Sequence, residues 1–478
     1  MSKIRTCLLW FTLTIVHTFL FFGYAMGVNG LIYSVLTISI VTWYHGLYRE
    51  KFWWMAVAGH LLIAISAAWH SIIGIAALYN LTFIVLTGYI FSARSSLPVA
   101  FLNGLAGTVL LSFLRTLRNG FRLLQTNFQD QSGFSIFKRM PLYVAPISVT
   151  AIFYMLYGAA NPDFFLEINF PDWGLNYGLI TYTIVGAIII CPLFFSLGVK
   201  PLTEFDLERS NVLNRIRVKR NSATPLRLLY ENKQGVIMFV MLNLLIASFL
   251  IFNITQIFLP SLNHSAADYS QQVHQGFETL VISMIVAMLL IMFYFRGNQN
   301  FYSRKEKLVK LAVIWIALNG ALILFTCYKN VLYINSFGLT YKRIWVFIGM
   351  FLTAIGLYLT LVKIYKLKTN WFLIRQNTWV IYFVISSYFL VDWNRLITWY
   401  NPNHAEFLDM EYILSLDKTQ LPYLNKLLKA GDPRVIPYQT KIQDKIKNIQ
   451  MQFDLDTPSK WQEETLDKSW LRSELNIK

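Results

Sequence analysis

The residues of this chain best suited to chemistry stand where apolar runs begin or end. Ser265 to Glu278, S-A-A-D-Y-S-Q-Q-V-H-Q-G-F-E, leads directly into the apolar run Thr279 to Phe295 and supplies Tyr269, His274, Gln275 and Glu278. Side chains four apart share one helix face, so His274 and Glu278 would act together. G-L-T-Y-K-R at Gly338 to Arg343 opens a later apolar run, and V-D-W-N-R at Val391 to Arg395 closes another, adding Arg343, Asp392, Asn394 and Arg395. Asp163, in N-P-D-F-F, follows a further apolar run. Carboxylates, cations, amides and an imidazole at the ends of apolar segments point to one polar pocket that binds a lipid headgroup, a small anion or a partner protein.

Arg343 is a cation in the first turn of an expected helix, where the dipole favours anions. An anionic partner is therefore expected, Glu278 first and Asp392 second. His274 with Glu278 offers two metal ligands, but no third is spaced nearby, so no metal is expected. His17, His45, His60 and His70 fall among the first four apolar runs at unmatched depths, and hydrogen-bonded histidines are expected there rather than a haem. The chain carries no phosphate-cradling glycine loop, no G-x-S-x-G and no H-E-x-x-H, and no cofactor is expected. The leading reading is a non-enzymatic integral membrane protein. A transporter of a small solute or lipid comes next, although it would want ionisable residues near the bilayer midplane. A membrane transferase on a lipid-linked substrate, with Asp163 or Glu278 as base, comes third.

Helices in lipid must position these residues. Only 14% of the 478 residues are charged, 55% are hydrophobic and the mean hydropathy is +0.46, whereas a soluble chain is about a quarter charged. Lipid offers no hydrogen-bond partners, so apolar runs of about 20 residues without β-alternation must form helices. Spanning helices are expected near 7–25, 28–45, 54–71, 74–92, 141–160, 175–197, 235–257, 276–296, 308–327, 340–362 and 374–395. The fold class is all-α, a polytopic bundle of about eleven spanning helices over residues 1–397, followed by a small helical extracytoplasmic tail over 398–478.

The net charge of +17 resides in short loops between apolar runs. That is the positive-inside pattern, and no nucleic-acid partner is expected. Lys3 and Arg5 place the amino terminus in the cytoplasm, and an odd number of crossings places the chain after Trp399 outside, in the periplasm if the membrane is a bacterial inner one. Residues 98–140 read as an inner-face amphipathic or re-entrant segment, in which Arg115, Arg118 and Arg122 form a basic stripe beside Leu114, Leu117, Phe121 and Leu124. That stripe suits an anionic inner leaflet, as do Arg215, Arg217, Lys219 and Arg220 in the basic cytoplasmic loop 198–234. Cys7, Cys191 and Cys327 are too scattered for a disulfide framework.

In the tail, D-M-E-Y-I-L-S-L and L-P-Y-L-N-K-L-L read as two short amphipathic helices with Leu414, Leu421, Leu424 and Leu428 as apolar contacts. Trp461 and Trp470 are expected to dock the tail, which is also a candidate surface for a partner protein. The block A-D-Y-S-Q-Q-V-H-Q-G-F-E-T-L-V, the later G-L-T-Y-K-R, W-N-R-L-I-T-W-Y-N and the D-x-E-Y-I-L-S-L of the tail together resemble an uncharacterised bacterial multi-pass family, domain of unknown function 4173, close to 4153. N-P-D-F-F at Asn161 to Phe165 fits the same pattern. The resemblance runs over roughly Pro141 to Leu424 and implies a bacterial inner-membrane protein, with no activity to carry over.

Overall fold

A computed structural model describes residues 3–111, 150, 176–215, 223–258, 282–455 and 460–475, apart from positions 71, 73 and 196. Among these residues the fold is helical, with one isolated bridge, Val212 to Lys368, in place of any strand. The first group of helices is α1 (Lys3–Phe21), α2 (Val28–His45), α3 (Lys51–Trp69), α4 (Ile75–Phe91), α5 (Leu97–Leu105) and α6 (Tyr177–Ile190). A short α7 (Lys200–Glu208) leads to α8 (Ala223–Phe258), α9 (Ile282–Tyr294), α10 (Glu306–Phe337), α11 (Tyr341–Tyr365) and α12 (Asn370–Tyr388). After a break, α13 (Trp393–His404), α14 (Met410–Ser415), α15 (Leu421–Lys429), α16 (Gln439–Leu455) and α17 (Leu466–Glu474) complete the chain.

Six helical stretches are long and apolar enough to cross a membrane, and a seventh if the bent pair α12 and α13 is one span. Eleven were expected. The runs near 74–92 and 276–296 appear among the described residues as the shorter apolar helices α4, of 17 residues, and α9, Ile282–Tyr294. In α2, Asn29, Ser34, Thr37 and Thr42 dilute the apolar character. The run near 374–395 ends early because the chain turns by 70° between α12 and α13. The run near 141–160 lies outside the described residues, as do Arg115, Arg118, Arg122, Arg217, Lys219 and Arg220, whereas Arg215 is exposed.

Two apolar cores result. Leu13, Tyr33, Trp53, Leu86 and Tyr89 belong to the first, among α1 to α6, and Phe239, Met284, Ile291, Trp315 and Met350 to the second, among α8 to α11. Helix α12 joins them, packing on α11 to one side and on α3 and α5 to the other. Glycines set the closest approach: a Cβ at Gly88 would lie 1.7 Å from the Ala100 carbonyl oxygen, and one at Gly104 would lie 1.9 Å from that of Ile84. Backbone-to-backbone contact of this kind is what small residues permit between apolar helices, and it folds α5 back antiparallel along α4.

Polar contacts between connecting segments sort to two ends of the bundle. At one end the buried Asp206 carboxylate accepts from the Ser96 amide, from Trp371 Nε1 at 2.6 Å and from Arg375 Nη2 at 2.8 Å. Thr369 and Asn211 join the same node. At the other end the tail meets the bundle. Met410, Ile413, Leu421, Leu424, Val435 and Ile442 form a core shared by α14 to α17. The Glu464 carbonyl accepts from the Val28 amide at 3.1 Å, and the Glu463 carboxylate accepts from the Ala25 amide at 3.0 Å. Gly27 is needed there, since a Cβ would sit 2.6 Å from the Glu464 oxygen.

Candidate functional site

The bend between α12 and α13 carries Asp392 as the N-cap of α13. Its Oδ1 accepts from the Arg395 amide at 3.0 Å and from Thr419 Oγ1 at 3.1 Å. A carboxylate suits that position because the free amides and the dipole of the first turn both favour negative charge. Arg395, one turn on, reaches back so that Nε lies 3.5 Å from Asp392 Oδ2 and Nη2 lies 3.5 Å from Asp467 Oδ1. Its guanidinium also stacks on Trp470, 3.7 Å from the ring centroid.

Asp467 arrives from the first turn of α17, which Thr465 caps. Its Oδ2 accepts from His70 Nδ1 at 2.8 Å, while His70 Nε2 donates to the Leu390 carbonyl at 3.2 Å. Both ring nitrogens of His70 therefore face acceptors, the arrangement of a doubly protonated imidazolium. Burial alone would lower the pKa of His70, but the hydrogen bonds to Asp467 and Leu390 and the charges of Asp467 and Asp392 raise it overall. Asp392 is also raised, first by burial and then by Asp467, against the hydrogen bonds and the positive charge of Arg395. Two cations and two carboxylates thus close a balanced cluster among α3, the α12–α13 bend and α17. His70, Asp392 and Asp467 present ligand atoms within 4.8 Å of one another, so the same three groups could hold a divalent cation.

Two hollows border this cluster. One, about 260 Å³, lies between bundle and tail and is lined by Tyr341, Asn394, Asp417, Lys418, Asp392 and Asp467 among others. The second, about 370 Å³, is an open groove lined by Trp69, His70, Leu390, Val391, Asp392, Arg395, Leu396 and Trp399. Trp69 and Trp399 are each about half exposed, at 45% and 48%. The groove thus has an apolar wall and a polar floor.

Of the residues singled out in the sequence, Asp392, Asn394 and Arg395 come together here, Asn394 Oδ1 accepting from Tyr341 Oη at 2.8 Å. Arg343 does not join them. It is buried in the turn between α10 and α11, where Nη1 donates to the Phe337 carbonyl at 2.9 Å and to that of Gly338, and the guanidinium lies 3.9 Å from the centroid of Tyr333. Among the described residues no carboxylate pairs with it, and Asp392 is committed to Arg395. The anion it meets is the carbonyl end of α10, which carries partial negative charge. Asp163, Tyr269, His274, Gln275 and Glu278 lie outside the described residues.

His70, Asp467, Thr419 and Trp470 were not foreseen as site residues. His60 and His45 are hydrogen-bonded within the bundle, His60 to Ser34 and Thr82 and His45 to the Leu193 carbonyl. His70 differs because it caps α3 at the end where the tail lands.

No curated protein and no solved structure matches this chain. A family model does, over residues 54–427, which takes in His70 and the whole α12–α13 bend but stops before Asp467. The matched family is the second of the two that the motifs resemble, and the chain belongs to the family described as Domain of unknown function (DUF4153).

Proposed function

We propose that this chain is a multi-pass protein of the bacterial inner membrane whose extracytoplasmic end binds a phospholipid headgroup at Arg395. The groove between Trp69 and Trp399 carries this reading. Leu390, Val391 and Leu396 give an acyl chain an apolar wall, exposed tryptophans mark the depth of a membrane interface, and a partly exposed guanidinium stands at the polar floor. Arg395 Nε and Nη2 each lie 3.5 Å from a carboxylate oxygen, and Nη1 faces neither carboxylate at ion-pair distance among the described residues. A guanidinium edge left open beside an apolar groove suits a phosphate. The orientation follows from charge: Arg94, Arg209, Lys366, Lys368 and Arg375 lie at the Asp206 end, so that end faces the cytoplasm.

Native mass spectrometry of the detergent-purified protein tests the reading. Wild type should retain phospholipid, and Arg395→Ala should retain about tenfold less, the loss of one charge-assisted contact. Equal retention by both proteins would contradict it.

A second reading, a transferase on a lipid-linked substrate, draws on the convergence of Asp392, Asp467 and His70 beside the enclosed hollow. The neutralising position of Arg395 favours binding over that reading.

A further inference from the structure

We infer that the cavity among α1, α2, α4 and α6 is a binding site for the head ring of a lipid-soluble quinone. The cavity measures about 300 Å³, lies in the first apolar core and shares no lining residue with the Arg395 groove. Among the described residues its lining contains no Lys, Arg, Asp or Glu, so a charged headgroup would find no counter-charge from them. Tyr33, only 2% exposed, borders the cavity, and among the described residues the one polar group beside its hydroxyl is Thr37 Oγ1, which itself has no other partner. His17 borders it with a buried Nδ1 that has no hydrogen-bond partner among the described residues.

Other polar groups of this core are paired: Ser34, Tyr79 and Thr82 of α2 and α4 and His60 of α3 are hydrogen-bonded to one another or to backbone. Buried polar groups without partners are rare in native proteins and call for an explanation. A neutral ligand with acceptor oxygens supplies one, since His17 Nδ1–H and Tyr33 Oη–H would both donate to it.

The walls define the shape of that ligand. His17 is stacked on Tyr182 with ring centroids 5.5 Å apart and planes 14° apart, and it meets Tyr33 edge-on at 5.4 Å. Phe21 and Phe83 extend the aromatic surface. Gly186 keeps the space open, because a Cβ there would lie 2.9 Å from His17 Nδ1. Val185 and Ile189 form a rim that is 48% and 41% exposed on an apolar helix face, an exit for an isoprenoid tail into lipid. A flat ring with carbonyl oxygens and an apolar tail fits all of these features.

Photolabelling of the full-length protein in detergent with a short-chain azidoquinone, with peptide mapping, tests this. Labelling should saturate, fall on peptides containing His17, Tyr33 or Tyr182, and be displaced by decylubiquinone. Tyr33→Phe and His17→Phe, checked for wild-type melting, should each weaken binding about tenfold. Non-saturable labelling, label confined to other helices, or wild-type affinity in both folded variants would overturn the assignment; in the last two cases the cavity holds only water or lipid.

Discussion

His70 Nδ1 lies 2.8 Å from Asp467 Oδ2, although 397 residues separate them. The side chains are 4% and 7% exposed, so this is a buried pair and not a surface contact. It ties α17 to the end of α3, and Arg395 ties the same carboxylate to the α12–α13 bend. Removing Asp467 leaves two cations facing a single carboxylate. Asp467→Asn should weaken the hold on the tail by about 1.5–3 kcal/mol, the range for a hydrogen bond to a charged group. Limited proteolysis should then cut between α16 and α17 faster than in wild type, with the Asp206 end unaffected.

The pH dependence of docking follows from the raised pKa of His70. A group whose pKa rises on folding contributes stability that is complete below its ordinary value, 6.5 for His70, and is lost as pH climbs through the raised value. Asp392 acts in the same direction: its pKa is raised by burial, so its ionised form is disfavoured in the fold and acidification relieves that cost. A fluorescence-transfer pair on α16 and the α1–α2 turn should report tight docking below about pH 6.5 and loosening as pH climbs through the raised value. In His70→Asn that change should disappear. Loosening on mild acidification instead would reverse the sign and refute the imidazolium assignment.

At the opposite end, Asp206 is fully buried and accepts three hydrogen bonds. Burial would raise its pKa, but the Ser96 amide, Arg375 and Trp371 lower it overall. That contribution is present above the ordinary carboxylate value and lost as pH falls through the depressed one. Asp206→Ala strands Arg375 and should cost about 3–5 kcal/mol, read as a drop in melting temperature in detergent larger than that of Asp467→Asn.

Arg343→Ala should destabilise the α10–α11 turn by about 1.5–3 kcal/mol, because two helix-end carbonyls lose a charged donor. Arg343→Lys should recover only part, since an ammonium cannot both span the carbonyls and stack on Tyr333. Thermal unfolding of the two variants checks the order.

Helices were legible in the sequence because their signal is local. Each expected apolar run that falls in the described residues is helical, and the paired tail helices appear at Met410–Ser415 and Leu421–Lys429 with Leu414, Leu421 and Leu424 buried. The break in the run near 374–395 was not legible, since the 70° bend after Tyr388 depends on Asp392 capping a new helix, which hydropathy does not register. Asp392, Asn394 and Arg395 stood out as polar residues at the end of an apolar run. Their partners did not: Asp467 sits in a polar tail segment like many others, and His70 is one of four histidines in apolar runs. Only the landing of α17 on α3 distinguishes them. Arg343 was recognised as needing negative charge; among the described residues backbone carbonyls supply it, and Glu278, the first expected partner, lies outside them.

The most direct test of the central claim is an electron cryomicroscopy map of the protein in phospholipid nanodiscs. The account predicts lipid density in the groove between Trp69 and Trp399, with a phosphate within hydrogen-bond distance of Arg395 Nη1 and an acyl chain along Leu390 and Leu396. A groove without lipid, or one filled by chain from elsewhere in the protein with Arg395 turned wholly toward Asp392 and Asp467, would contradict it.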